Sequence, residues 1–147
     1  MAVRVRPAAG ADELAACAAL YEAGQREIMP GDPPGAWSRE GFGAATAGED
    51  VYVAATAAGE VVGFVSLVRP AAFVHFLHVG RGWRGRGVGR RLLDHALATV
   101  PAGVPVELKC RPDNLPALAF YRRLGWAEPP PGYPPDPAYV RLRLERL

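Results

Sequence analysis

The sequence predicts a mixed α/β fold of the α+β kind, on three observations. Strand-like apolar segments recur at Val51 to Thr56, Val61 to Val68, Ala72 to Val79 and Val104 to Cys110. Apolar residues at helical spacing mark two longer stretches, 12–28 and 88–100. A strand, a glycine-rich turn and an amphipathic helix follow one another between 72 and 100. One layered domain over residues 1–147 is therefore expected, with a mixed central sheet of six or seven strands flanked by about four helices.

Val3 to Arg6 alternates apolar and basic residues and reads as the first strand. Asp12 is positioned to start a helix in which Leu14, Cys17, Ala18, Tyr21 and Ile28 share a face. Prolines and glycines between Met29 and Gly35 interrupt it, and a weaker helix is expected from Trp37 to Thr46. Gly59 suits the connection of a hairpin between the next two strands, and Pro70 separates the second from the third. Val88, Leu92, Leu93, Ala96, Leu97 and Val100 form one face of a helix that Pro101 ends. Asn114 caps the next helix, Pro116 is tolerated in its first turn, and Gly125 stops it. In a last strand Val140, Leu142 and Leu144 face inward.

A chain of 147 residues can bury roughly two-thirds of its unfolded surface. No run of 18 apolar residues exists, which argues against a membrane span, and no secretory leader is read at the N-terminus. Two cysteines make neither a disulfide framework nor a metal-ligand set, so no metal is expected. A cytoplasmic enzyme is the default expectation. The net charge is only +2, yet Arg81, Arg84, Arg86, Arg90 and Arg91 fall together in a stretch free of acids, which points to an anionic ligand.

The turn Arg84-Gly85-Arg86-Gly87-Val88-Gly89 lies between a strand and a helix. Glycine permits positive φ and close approach of a ligand, and the first N–H groups of a helix have no partner inside it. The helix dipole adds partial positive charge there, giving a site for a pyrophosphate. The spacing is neither that of a P-loop nor that of a dinucleotide fingerprint. A disordered Arg-Gly tract binding nucleic acid is the competing reading, and the flanking strand and helix disfavour it.

The stretch from Leu77 to Leu93 resembles the acetyl-CoA motif of the GNAT N-acetyltransferase superfamily, Q/R-x-x-G-x-G/A after an L-x-V strand, with Arg84, Gly87 and Gly89 in the fixed positions. Asn114 to Trp126 is similar to the second family signature, N-x-x-A-x-x-x-Y-x-x-x-G-F, with Trp126 in place of Phe. The resemblance implies acetyl-CoA as cofactor, held by Leu77, His78, Val79, Arg84, Gly85, Arg86, Gly87, Val88, Gly89, Arg90, Asn114, Ala117 and Tyr121. It implies that Tyr121 gives its proton to the departing thiolate, and that a main-chain N–H near His78 or Val79 polarises the thioester carbonyl.

An alkylamine is protonated near pH 7, so a base is needed, and neutral histidine is the natural one. His75 and His78 lie three residues apart, on opposite faces of a regular strand. No acidic residue accompanies them from Ala72 to Val79. Some small-amine members of the family carry histidines on this strand, and the resemblance of His75 to one of those positions implies that it is the base, with a water chain as the alternative; either histidine could instead be structural. Cys110 is not expected to act as a nucleophile. By resemblance, the acceptor pocket is built from Tyr21, Glu22, Glu27, Met29, Asp32, Trp37 and the segment around Tyr133, with Glu27 and Asp32 as carboxylates for an amine.

The activity expected is direct transfer of an acetyl group from acetyl-CoA to a primary amine of a small molecule or amino acid. The alternatives are acetylation of a protein or peptide N-terminus or lysine, and a non-catalytic acyl-CoA-binding domain. The partner is then a small-molecule amine, with neither nucleic acid nor membrane; a homodimer is compatible with the resemblance.

Overall fold

The computed structural model describes residues 2–33, 35–134 and 136–147. Strand β1 (Val3–Pro7) leads into α1 (Gly10–Ile28), then a 3-10 turn at Arg39–Gly41 and the single-turn α2 (Phe42–Ala45). β2 (Asp50–Thr56), β3 (Val61–Val68) and β4 (Phe73–Val79) follow, then α3 (Val88–Ala98), β5 (Val106–Cys110), α4 (Leu115–Arg123) and β6 (Val140–Leu144). The six strands form one sheet in chain order, antiparallel throughout except where β4 runs parallel to β5. Among the described residues no helix is long and apolar enough to cross a membrane.

Each face of the sheet is covered. On one side Leu92, Leu93 and Ala96 of α3 and Leu118 and Tyr121 of α4 pack with Val65, Leu67, Val74 and Trp126. On the other, Cys17, Ala18 and Tyr21 of α1 pack with Phe42, Val53 and Phe64. The inward stripe of α1 runs on through Gly24 and Gln25, while Leu14, expected inside, is largely exposed. Asp12 does not cap α1: the helix starts at Gly10, and Glu13 reaches back to accept from the Ala9 N–H at 2.8 Å while paired with Arg6. The expected second helix shrinks to the 3-10 turn and α2. β5 begins after Pro105, which has no N–H to give to a ladder, leaving Val104 exposed.

Two irregularities shape the site. The β3–β4 register skips between Ser66/Phe76 and Leu67/Val74, so His75 is the extra residue of a bulge. This overturns the expectation of opposite faces: His75 and His78 line the same cavity, because the bulge breaks the two-residue alternation between them. The second is the β4–β5 pairing, which is confined to Phe73↔Glu107 and Val74↔Leu108. Beyond Val74 the two strands part, and the far end of β4 faces an open gap.

Candidate active site

The gap continues into a groove of about 680 Å³ whose walls include Leu77, His78 and Val79 of β4, the 84–90 loop, and Asn114, Ala117, Phe120 and Tyr121 of α4. Gly80 N donates to Val62 O and Phe76 N to Ser66 Oγ, both toward β3. Alternation along the strand turns the intervening Leu77 and Val79 N–H groups away from β3, into the gap. In the loop, Gly85 (φ +74°) and Gly87 (φ +82°) take left-handed conformations, and a Cβ on either would meet nothing. The first i→i−4 bond of α3 is Arg91 N to Gly87 O, so the amides before it lack partners within the helix. Those donors, the dipole and open space fit a pyrophosphate.

Charge around the loop is partly balanced from within. The Arg84 guanidinium holds Glu27 through bonds of 2.7 and 3.1 Å, and its Nε donates to Val79 O at 3.1 Å. Arg81 reaches the same carboxylate at 3.5 Å. The Arg84 hydrogen bonds, together with the two positive charges, hold the Glu27 carboxyl below the usual range. Arg86 lies 5.1 Å from the Trp83 ring centroid and is not part of the groove wall, whereas Arg90 and Arg123 are.

A second cavity, of about 370 Å³, adjoins the groove and shares with it Ile28, Leu77, His78, Asn114, Ala117 and Tyr121. Its further walls come from Gln25, Trp37, Phe73, His75, Phe76, Lys109, Arg111 and Tyr139. Tyr121 sits at the junction. The local sequence fixes it there: Asn114 Oδ1 accepts from Ala117 N at 3.4 Å at the start of α4, and Gly125 (φ +94°) ends it. The chain then turns so that buried Trp126 packs edge-on to the Tyr121 ring, with centroids 5.9 Å apart. Burial pushes the Tyr121 hydroxyl well above its ordinary value, so it is a protonated donor at neutral pH.

The two histidines differ sharply. His78 is buried, with Nε2 2.8 Å from Gln25 Oε1, and burial, with the Arg84 charge second, pulls its pKa down to about 4. It is a neutral ring tying β4 to α1. His75 is exposed, stacks on Phe76 at 3.9 Å, and has Nδ1 2.8 Å from Glu49 Oε2. That bond places the proton on Nδ1 and leaves Nε2 a free acceptor. Cys110 also lines the second cavity; burial pushes its thiol up to about 11, which keeps it un-ionised.

Of the residues expected at the acceptor, Trp37 and Met29 line this cavity. Glu27 does not: it lies at the larger groove, bound by arginines far away in sequence. Asp32 accepts from Trp37 Nε1 at 2.6 Å and belongs to neither wall, so its part is to hold the indole. Glu22 is bound by Arg39, and Tyr21 is buried among aromatic rings. Tyr133 sits in a separate, proline-walled hollow, donating to Glu107 at 2.7 Å. Tyr139, from the same segment, reaches the cavity in its place. Gln25, Glu49, Lys109, Arg111 and Arg123 were not singled out from the sequence. For Lys109 and Arg111 a signal existed, since the period of two puts them on one face of β5 and its extension.

A groove with main-chain donors that meets a second cavity at a buried hydroxyl suits a group-transfer enzyme. Comparison with known proteins narrows the class. Residues 12–126 match the model of the acetyltransferase (GNAT) family. The N-alpha-acetyltransferase RimI of Mycobacterium tuberculosis is 36% identical over 111 residues, which span 69% of this chain and 67% of that one. Streptothricin acetyltransferase of Streptomyces lavendulae is 31% identical over 117 residues, 69% of this chain and 61% of that protein's length. The paia N-acetyltransferase of Thermoplasma acidophilum, solved in complex with coenzyme A, aligns with a TM-score of 0.76 at 14% identity, covering 99% of each chain. The chain belongs to the GNAT acetyltransferase family and is an acyltransferase. Among the described residues no three His, Cys, Asp or Glu side chains gather as metal ligands.

Proposed function

We propose that the chain transfers an acetyl group from acetyl-CoA directly to the amine of a small molecule or amino acid. The observation that carries this reading is the meeting of the two cavities at Tyr121, one with unpaired main-chain donors and the other with aromatic walls. The pyrophosphate would be held by the amides between Arg84 and Gly89, and the pantetheine arm by Leu77 and Val79 in the β4–β5 gap. Acetyl-CoA supplies the acetyl group as a thioester and leaves as a thiol.

The chain's own groups divide the remaining work. Nε2 of His75 takes a proton from the amine, while Glu49 holds the ring in place through Nδ1. The Leu77 or Val79 N–H donates to the carbonyl oxygen as charge develops on it. The Tyr121 hydroxyl gives a proton to the sulfur; of the two protons the ammonium loses, His75 takes one, which is the net proton released, and the other restores the Tyr121 hydroxyl. Direct transfer is supported by the un-ionised Cys110, since an acyl-enzyme would need its thiolate.

Similarity to RimI favours a second reading, in which the amine is a peptide N-terminus. The test is thiol release from acetyl-CoA with free amino acids, alkyl- and arylamines, and short peptides. Turnover of small amines is expected. Turnover of peptides alone would move the assignment to N-terminal acetylation, and CoA binding without turnover of any amine would make the domain a binding module.

A further inference from the structure

The second cavity lacks what an enzyme for cationic amines would be expected to provide: among its described lining residues none is acidic. Apart from the histidines, its charged groups are Lys109 and Arg111, which flank the Tyr139 ring at 5.9 Å each. Nearby carboxylates engage them only loosely. Glu107, two residues before Lys109 on the same face, is taken up by Arg141, Arg143 and Tyr133. Asp136, 3.7 Å from Lys109 Nζ, and Asp113, 3.8 Å from Arg111 Nε, form long ion pairs from exposed side chains, the kind worth little in water and open to competition by a ligand carboxylate. Arg111 Nε is moreover buried without a hydrogen-bond partner among the described residues. Such a donor is costly to leave unmatched.

Taking this cavity as the acceptor site, as proposed above, we infer that the acceptor carries a carboxylate, held by Lys109 and Arg111, beside an apolar or aromatic body. The amine of such a zwitterion would face His75 and Tyr121. Its body would lie against Trp37, Phe73 and Phe76. A polycationic amine would meet two like charges and no acid among the described lining residues, which disfavours it. A charge-assisted hydrogen bond gained or lost here is worth about tenfold in affinity.

The inference is tested by calorimetry on the CoA-loaded protein with four probes: N-acetylphenylalanine, N-acetylleucine and the carboxamide of each. Each acid should bind at least about tenfold tighter than its amide. Lys109→Gln should reduce that preference, and Lys109→Gln with Arg111→Gln should abolish it. If the double variant folds poorly, Lys109→Gln decides, since its side chain is partly exposed. Equal binding of acid and amide by the wild type overturns the inference, and so does a preference that survives the substitutions. In parallel, thiol release is followed with phenylalanine, phenylalaninamide and 2-phenylethylamine. Turnover with no preference for the acid removes the inference and leaves acetyl transfer standing. Tight binding of the acids with no transfer to any amine leaves the carboxylate site and removes the catalytic reading.

Discussion

Glu49 Oε2 lies 2.8 Å from His75 Nδ1, and the second oxygen of the same carboxylate, Oε1, is buried without a partner among the described residues. A carboxylate can only accept, so it fixes the tautomer with the proton on Nδ1 and orients the ring. If His75 is the base, His75→Ala should lower kcat by about 10²–10⁴ and remove the acidic limb of its pH profile. Glu49→Gln keeps the shape and removes the charge, so kcat should drop while KM for the amine hardly moves. A wild-type pH profile in His75→Ala would end the assignment.

Tyr121→Phe removes one hydroxyl and keeps the ring packed on Trp126. Stability and CoA affinity should therefore change little, while kcat falls by about 10²–10⁴ for lack of the proton donor. Single-turnover rates with a good amine, beside direct CoA binding, separate the two effects. Equal loss of both would mean that the residue serves only to shape the groove.

What the sequence reveals and what it conceals divides along physical lines. The 84–89 turn and the 114–126 helix were legible because positive-φ glycines, an Asn cap and a stop glycine act within a few residues of themselves. The shared side of His75 and His78 was not, because a bulge is a property of the pairing with β3 rather than of β4. Glu27 and Asp32 misled for a similar reason. A carboxylate's partner is chosen through space, and Arg84 is 57 positions from Glu27. The role of Lys109 and Arg111 depends on strands parting beyond Val74, which no local pattern records.

His78 makes stability depend on pH. Burial lowers its folded pKa to about 4 from an ordinary value near 6.5. Between those values the unfolded chain binds the proton and the folded one refuses it. The contribution is complete above about pH 6.5 and is lost as pH falls toward 4, amounting to about 3 kcal/mol. Chemical denaturation from pH 7 to 4.5 should reveal this slope, and His78→Gln should flatten it. The lowered carboxylates, with Glu13 held down at about 2, begin to contribute below about pH 5, so the His78 slope is read between pH 7 and about 5.5. An unchanged slope in the variant would place the titration elsewhere.

Gly24 offers the sharpest test of how α1 meets β4. Inside a helix, glycine to alanine ordinarily gains about 1 kcal/mol, so Gly24→Ala would be stabilising on an open face. Here the added methyl would overlap Nδ1 and Cε1 of His78, whose other nitrogen is bound to Gln25 and whose ring is enclosed. Overpacking of a core costs about 1–3 kcal/mol, and displacing the ring also breaks a buried hydrogen bond. The clash should outweigh the helical gain and lower Tm by about 3–8 °C. In a His78→Ala background the obstacle is gone, and Gly24→Ala should then raise Tm instead. A reversal of sign between the two backgrounds is the diagnostic result; a loss of similar size in both would mean that the glycine answers to the backbone of α1 rather than to the histidine beneath it.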